Sequence, residues 1–67
     1  MTPREREVMQ YVAQGCSNPS IAESLNVSTA AVKKTLTSAF GKLGVNNRFE
    51  AARHFVAQYG DDGQESM

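Results

Sequence analysis

Two residues, Asn26 and Val27, are all that separate Leu25 from Ser28, and the chain on either side reads as helix. Helices joined by so tight a turn cannot lie antiparallel along their full length. They must cross steeply, as in a helix-turn-helix. Asn26 suits the corner, because asparagine tolerates the left-handed conformation that ends a helix.

The second of these helices is the most informative stretch. Ser28 can cap it by accepting a free N–H of the first turn. Val32, Leu36, Ala39, Phe40 and Leu43 recur at spacings of three and four, which makes one apolar stripe. Gly44 follows as a left-handed terminator. Away from the stripe lie Ala30, Lys33, Lys34 and Thr37, with no acid among them. A helix that packs on one side and presents short polar and basic groups on the other can enter a DNA major groove.

The flanking segments complete a helical domain. Thr2-Pro3-Arg4-Glu5 carries a cap, a first-turn proline and an acid three residues after the cap. Val8, Met9, Tyr11 and Val12 give that helix its apolar side, and Gly15 should stop it after Gln14. In the second helix Asn18 is the expected cap before Pro19, with Ser17 competing, and Ile21, Ala22 and Leu25 face inward. Asn47 followed by Glu50 repeats the capping spacing, and Ala51, Ala52, Phe55, Val56 and Tyr59 make a broad apolar side. The expectation is an all-α, four-helix domain over 1–59, with helices at 3–14, 18–25, 29–43 and 48–59. Residues 60–67, Gly-Asp-Asp-Gly-Gln-Glu-Ser-Met, lack apolar periodicity and are expected to form a flexible acidic tail.

Composition excludes several classes. One cysteine, Cys16, leaves no internal disulfide, and with His54 as the sole histidine it makes no zinc site. This suits a reducing compartment such as the bacterial cytoplasm. Cys16 is expected to be a small packed side chain. No apolar run is long enough to span a membrane, and the start lacks a signal-peptide core. There is no nucleophile paired with a base and no glycine-rich phosphate loop, so the chain does not read as an enzyme and implies no cofactor or metal. Formal net charge is zero, yet Asp61, Asp62 and Glu65 all lie in the last eight residues. Without them, seven basic residues face four acidic ones. No acid occurs between Glu23 and Glu50, where Lys33, Lys34, Lys42 and Arg48 lie. That clustering is the footprint phosphate binding needs.

The helix starts at Ser17, Asn18, Ser28 and Thr29 offer free N–H groups and a dipole to a phosphate. Lys42 and Arg48 flank the turn after the third helix. They are candidates either for the DNA backbone or for ion pairs with Glu23 or Glu50. Arg4, Glu5, Arg6 and Glu7 read as a mixed charge run, solvated and paired within the domain.

Several separated motifs, in order, resemble the LuxR-type (GerE-like) helix-turn-helix. They are Thr2-Pro3-Arg4-Glu5-Arg6-Glu7-Val8, Gly15-Cys16-Ser17-Asn18, Ile21-Ala22 with Leu25, Val32-Lys33, Lys42-Leu43-Gly44-Val45, and Asn47-Arg48 with Glu50-Ala51. The resemblance implies a bacterial transcriptional regulator, often with a regulatory N-terminal domain in a longer chain. It implies that the third helix enters the major groove of double-stranded DNA. Lys33, Lys34, Thr37 and Ala30 would then read bases, and residues near the start of the second helix would touch phosphates. Family members often dimerise through the last helix, which here places Arg53, His54, Val56, Ala57 and Gln58 at a candidate interface. Pro19 and Ser20 depart from the Lys/Glu-type pair usual in the family, and Thr35 stands where histidine is common. The rival expectation is a protein-interaction module that kept the fold and binds DNA weakly or not at all.

Overall fold

The computed structural model describes residues 1–59 as four helices: α1 Pro3–Ala13, α2 Asn18–Leu25, α3 Thr29–Leu43 and α4 Arg48–Tyr59. There is no strand among the described residues. The expected acidic tail lies outside them, as does the side chain of Tyr59.

Local chemistry sets the boundaries. At the start of α1, Thr2 Oγ1 accepts from Glu5 N at 3.2 Å and Thr2 N donates to Glu5 Oε1 at 2.8 Å. This reciprocal box satisfies two backbone donors that would otherwise lack partners. The helix ends one residue before the expected 14, with Gln14 as its cap and Gly15 at φ 88°. Ser17, not Asn18, caps α2, accepting from Ser20 N at 3.3 Å. Asn18 is not available to cap, because its side chain is held by Arg48. Asn26 takes φ 59°, and the chain turns at once into the Ser28 cap, whose hydroxyl accepts from Ala31 N at 3.1 Å. Gly44 at φ 73° ends α3, and Asn47 Oδ1 accepts from Glu50 N at 2.8 Å to begin α4.

The core takes Val8, Met9 and Val12 from α1, Ile21 and Ala22 from α2, Val32, Leu36 and Ala39 from α3, and Ala51 and Phe55 from α4. Tyr11, Cys16, Leu25, Phe40, Leu43 and Ala52 pack partly buried against it. Cys16 is thus a packed, unpaired thiol. α1 lies against α3 and α4, and α2 lies against α3. One inward expectation fails. Val56 is 47% exposed, because among the described residues Ala51 and Phe55 make a narrow buried stripe and no element packs on the far side of α4.

Gly41 sits inside α3 with no atom within 4 Å of where a Cβ would lie. A helical glycine costs about 1 kcal/mol relative to alanine. Gly41→Ala should therefore raise the melting temperature by about 4–8 °C, the shift 1 kcal/mol produces in a domain of this size. Thermal melting by circular dichroism measures it, and an unchanged or lower midpoint would count against an unstrained, open α3 backbone there.

Candidate nucleic-acid interface

α3 is held by one side. Val32 is 1% exposed, and Leu36 and Ala39 are also buried. At about 100° per residue, Ala30, Lys34 and Thr37 lie roughly opposite Val32, and Lys33 lies about a quarter turn from it. All four are exposed. Among the described residues, neither the Lys33 nor the Lys34 ammonium has an ion-pair partner. Thr37 donates its hydroxyl proton to Lys33 O at 3.0 Å, which leaves its methyl and an oxygen lone pair for a ligand. Thr35 makes the matching bond to Ala31 O at 2.9 Å.

The starts of α2 and α3 add donors. Ser17 and Ser28 are exposed, and each hydroxyl oxygen already serves as a cap acceptor. Their hydroxyl protons can still be donated. Thr29 is exposed at the first position of α3. At the start of α3 the Thr29 and Ala30 N–H groups have no partner among the described residues, and with the helix dipole they favour an anion. The start of α2 is poorer in such donors, since Pro19 has no N–H and the Ser20 N–H is taken by Ser17.

Lys42 and Arg48 are engaged within the domain, and with partners other than the expected Glu23 and Glu50. Lys42 Nζ lies 2.9 Å from Glu5 Oε1, and Ser38 Oγ donates to Glu5 Oε2 at 2.6 Å. Arg48 Nη1 donates to Asn18 Oδ1 at 2.6 Å, and its Nη2 donates to the Cys16 carbonyl. Glu5 is therefore no solvated acid. It is 6% exposed and joins the start of α1 to the second half of α3. Its pKa is lowered from 4.5 to about 2, first by the Ser38 hydroxyl, then by the Thr2 amide and Lys42. Hydrogen bonds to the charged form stabilise that form.

The outer side of α4 is separate from this surface. Arg53, His54, Val56, Ala57 and Gln58 are all exposed there. Two shallow depressions run along it, one lined by Glu50, Arg53, His54, Ala57 and Gln58, the other by Ala52, Arg53, Val56 and Ala57. Phe49, which the sequence pattern does not single out, is 72% exposed, and it stands seven residues before Val56. Two turns of helix bring such positions onto one side, so the spacing was the available signal. No cluster of three or more metal-ligating residues occurs among the described residues, and none of their helices is long and apolar enough to cross a membrane.

Comparison with known proteins places this arrangement. Residues 1–55 match the profile described as bacterial regulatory proteins, luxR family. The chain is 43% identical over 51 residues to the transcriptional regulatory protein ComA of Bacillus subtilis, covering 76% of this chain and 24% of that protein. It is 40% identical over 60 residues to the nitrate/nitrite response regulator protein NarP of Escherichia coli, covering 90% of this chain and 28% of NarP. It thus spans about a quarter of the length of these relatives. A crystal structure of the anti-activator RapF complexed with the DNA-binding domain of the response regulator ComA superposes with a TM-score of 0.80. The identity is 40%, over 82% of this chain and 95% of that one.

The Glu5 site yields a pH signature. In the unfolded chain the carboxyl titrates near 4.5, and in the native protein near 2. Between those values the unfolded state binds a proton that the native state does not, so stability falls as pH falls. The contribution is complete above about pH 5 and is lost on approach to pH 2. The melting temperature of wild type should exceed that of Glu5→Gln most at about pH 6, and the gap should close toward about pH 2.5. A gap independent of pH would show that the Glu5 carboxylate is not selectively held in its charged form.

Proposed function

The chain belongs to the luxR family of bacterial regulatory proteins, and we propose that it is a sequence-specific DNA-binding domain of a transcriptional regulator, with α3 in the major groove. The observation that carries this reading is the exposed side of α3. It shows two unpaired ammonium groups and no carboxylate, on a helix anchored by its opposite side. Lys33 and Lys34 reach guanine acceptors or phosphate, Thr37 meets a thymine methyl, and Ala30 allows close approach. Ser17, Asn18, Ser28 and Thr29 hold phosphates, with Lys42 and Arg48 at the edge of the contact. Two copies pair through α4, using Arg53, His54, Val56, Ala57 and Gln58, and read half-sites about 10 bp apart. The domain works in the bacterial cytoplasm, at the nucleoid, as the output part of a longer regulator or as a small regulator by itself.

A second reading has its own support in Phe49 and Val56, large apolar side chains exposed on α4. Under it the domain is a protein-interaction module with weak or no DNA binding. The ComA domain, which this chain resembles, has been crystallised with the anti-activator RapF. A salt titration on random duplex separates the two. DNA binding through several phosphates gives a steep negative slope of log K against log salt, whereas the module binds weakly or not at all even at low salt and shows no steep slope.

Lys33→Ala should weaken binding to a selected operator by about 1–3 kcal/mol, the size of one lost base contact. Its melting temperature should stay near that of wild type, since Lys33 is exposed and unpaired. Full operator affinity in this variant, measured by fluorescence anisotropy, would mean that α3 is not the reading element.

A further inference from the structure

We propose that Arg48 is a positioning residue for DNA contact: it takes the amide oxygen of Asn18 and so turns the Asn18 NH2 outward as a donor to phosphate. The inference rests on the DNA-binding reading above and assigns the atom that acts at the start of α2.

A guanidinium has only donors, and an amide has an acceptor at one end and donors at the other. Arg48 Nη1 at 2.6 Å can therefore face only Asn18 Oδ1. A flipped amide would set donor against donor, so Arg48 fixes which end of Asn18 points away from it. That other end, Nδ2, has no partner among the described residues. Arg48 also donates to the carbonyl of Cys16, which precedes the exposed Ser17 cap. One side chain on the first turn of α4 thus holds both the loop backbone and the first side chain of α2. Asn18 is half-buried in this grip and follows Ser17, whose hydroxyl proton can also be donated. The arrangement also makes the contact depend on α4, the helix proposed to pair two copies.

The test uses the full chain, a random 20-bp duplex at low salt, and three variants. Asn18→Asp keeps an acceptor for Arg48, turns the bond into an ion pair, and places an acid at a helix start. Its melting temperature should match or exceed that of wild type. It also replaces the outward donor by a carboxylate oxygen, so duplex affinity should drop on the order of tenfold or more. The added charge by itself repels phosphate, so the comparison is Ser20→Asp, which puts the same charge on the same helix start outside the Arg48 grip. A purely structural role for Asn18 predicts equal losses in the two variants, whereas a lost donor predicts a clearly larger loss for Asn18→Asp. Arg48→Met should weaken binding when made alone and add little when combined with Asn18→Asp, because both act through one contact. If wild type binds with a salt slope and Asn18→Asp loses no more affinity than Ser20→Asp, the positioning role is overturned while the DNA-binding reading stands. If wild type shows no salt-sensitive binding, that reading fails and this inference with it.

Discussion

Burial of Val32, Leu36 and Ala39 decides which way α3 faces, and everything proposed for the surface follows from that orientation. Fully burying a Val or Leu side chain contributes roughly 1.5–3 kcal/mol, a large share of the stability a domain this small can have. Turning α3 by one residue would carry Lys33 toward the core and Val32 into water. A lone buried ammonium would cost several kcal/mol more. The stripe therefore selects one orientation strongly, and the lysines are exposed as a consequence of what is buried behind them.

Polar links then fix how that helix sits against its neighbours. Glu5 gathers the Thr2 amide, the Ser38 hydroxyl and the Lys42 ammonium, and so joins the first turn of α1 to the last turns of α3. Arg48 joins the first turn of α4 to the loop before α2. Apolar packing tolerates small slides. Short bonds with charged partners are directional and restrict them. The two clamps lie at opposite ends of the helix-turn-helix in sequence, one on the approach to α2 and one on the tail of α3. Two of the seven basic residues are used inside the domain in this way. The freely presented charge of α3 is correspondingly concentrated in Lys33 and Lys34.

The helices were legible because their ends are local chemistry. Thr2, Ser28 and Asn47 each find a partner three residues on, and Gly15, Asn26 and Gly44 need nothing beyond their own backbone freedom. The apolar stripe of α3 was legible for the same reason, since its period is a property of the helix alone. The partners of Lys42 and Arg48 were not, because they lie 37 and 30 residues away and depend on how helices pack. The same limit explains the α2 cap. Asn18 has the right chemistry, but a residue from α4 claims its side chain and Ser17 takes the task. The outward turn of Val56 and the bare ring of Phe49 were hidden in the same way, since a short helix with mixed apolar positions does not say which of them find a neighbour.

The central claim is that DNA meets the side of α3 opposite Val32. The most direct measurement is a two-dimensional NMR titration of isotope-labelled protein with an operator duplex selected from a random pool. The account predicts the largest amide shift changes at Ala30, Lys33, Lys34 and Thr37, with a second group at Ser17 and Asn18. Changes gathered around Phe49 and Val56, with the α3 amides unmoved, would contradict it.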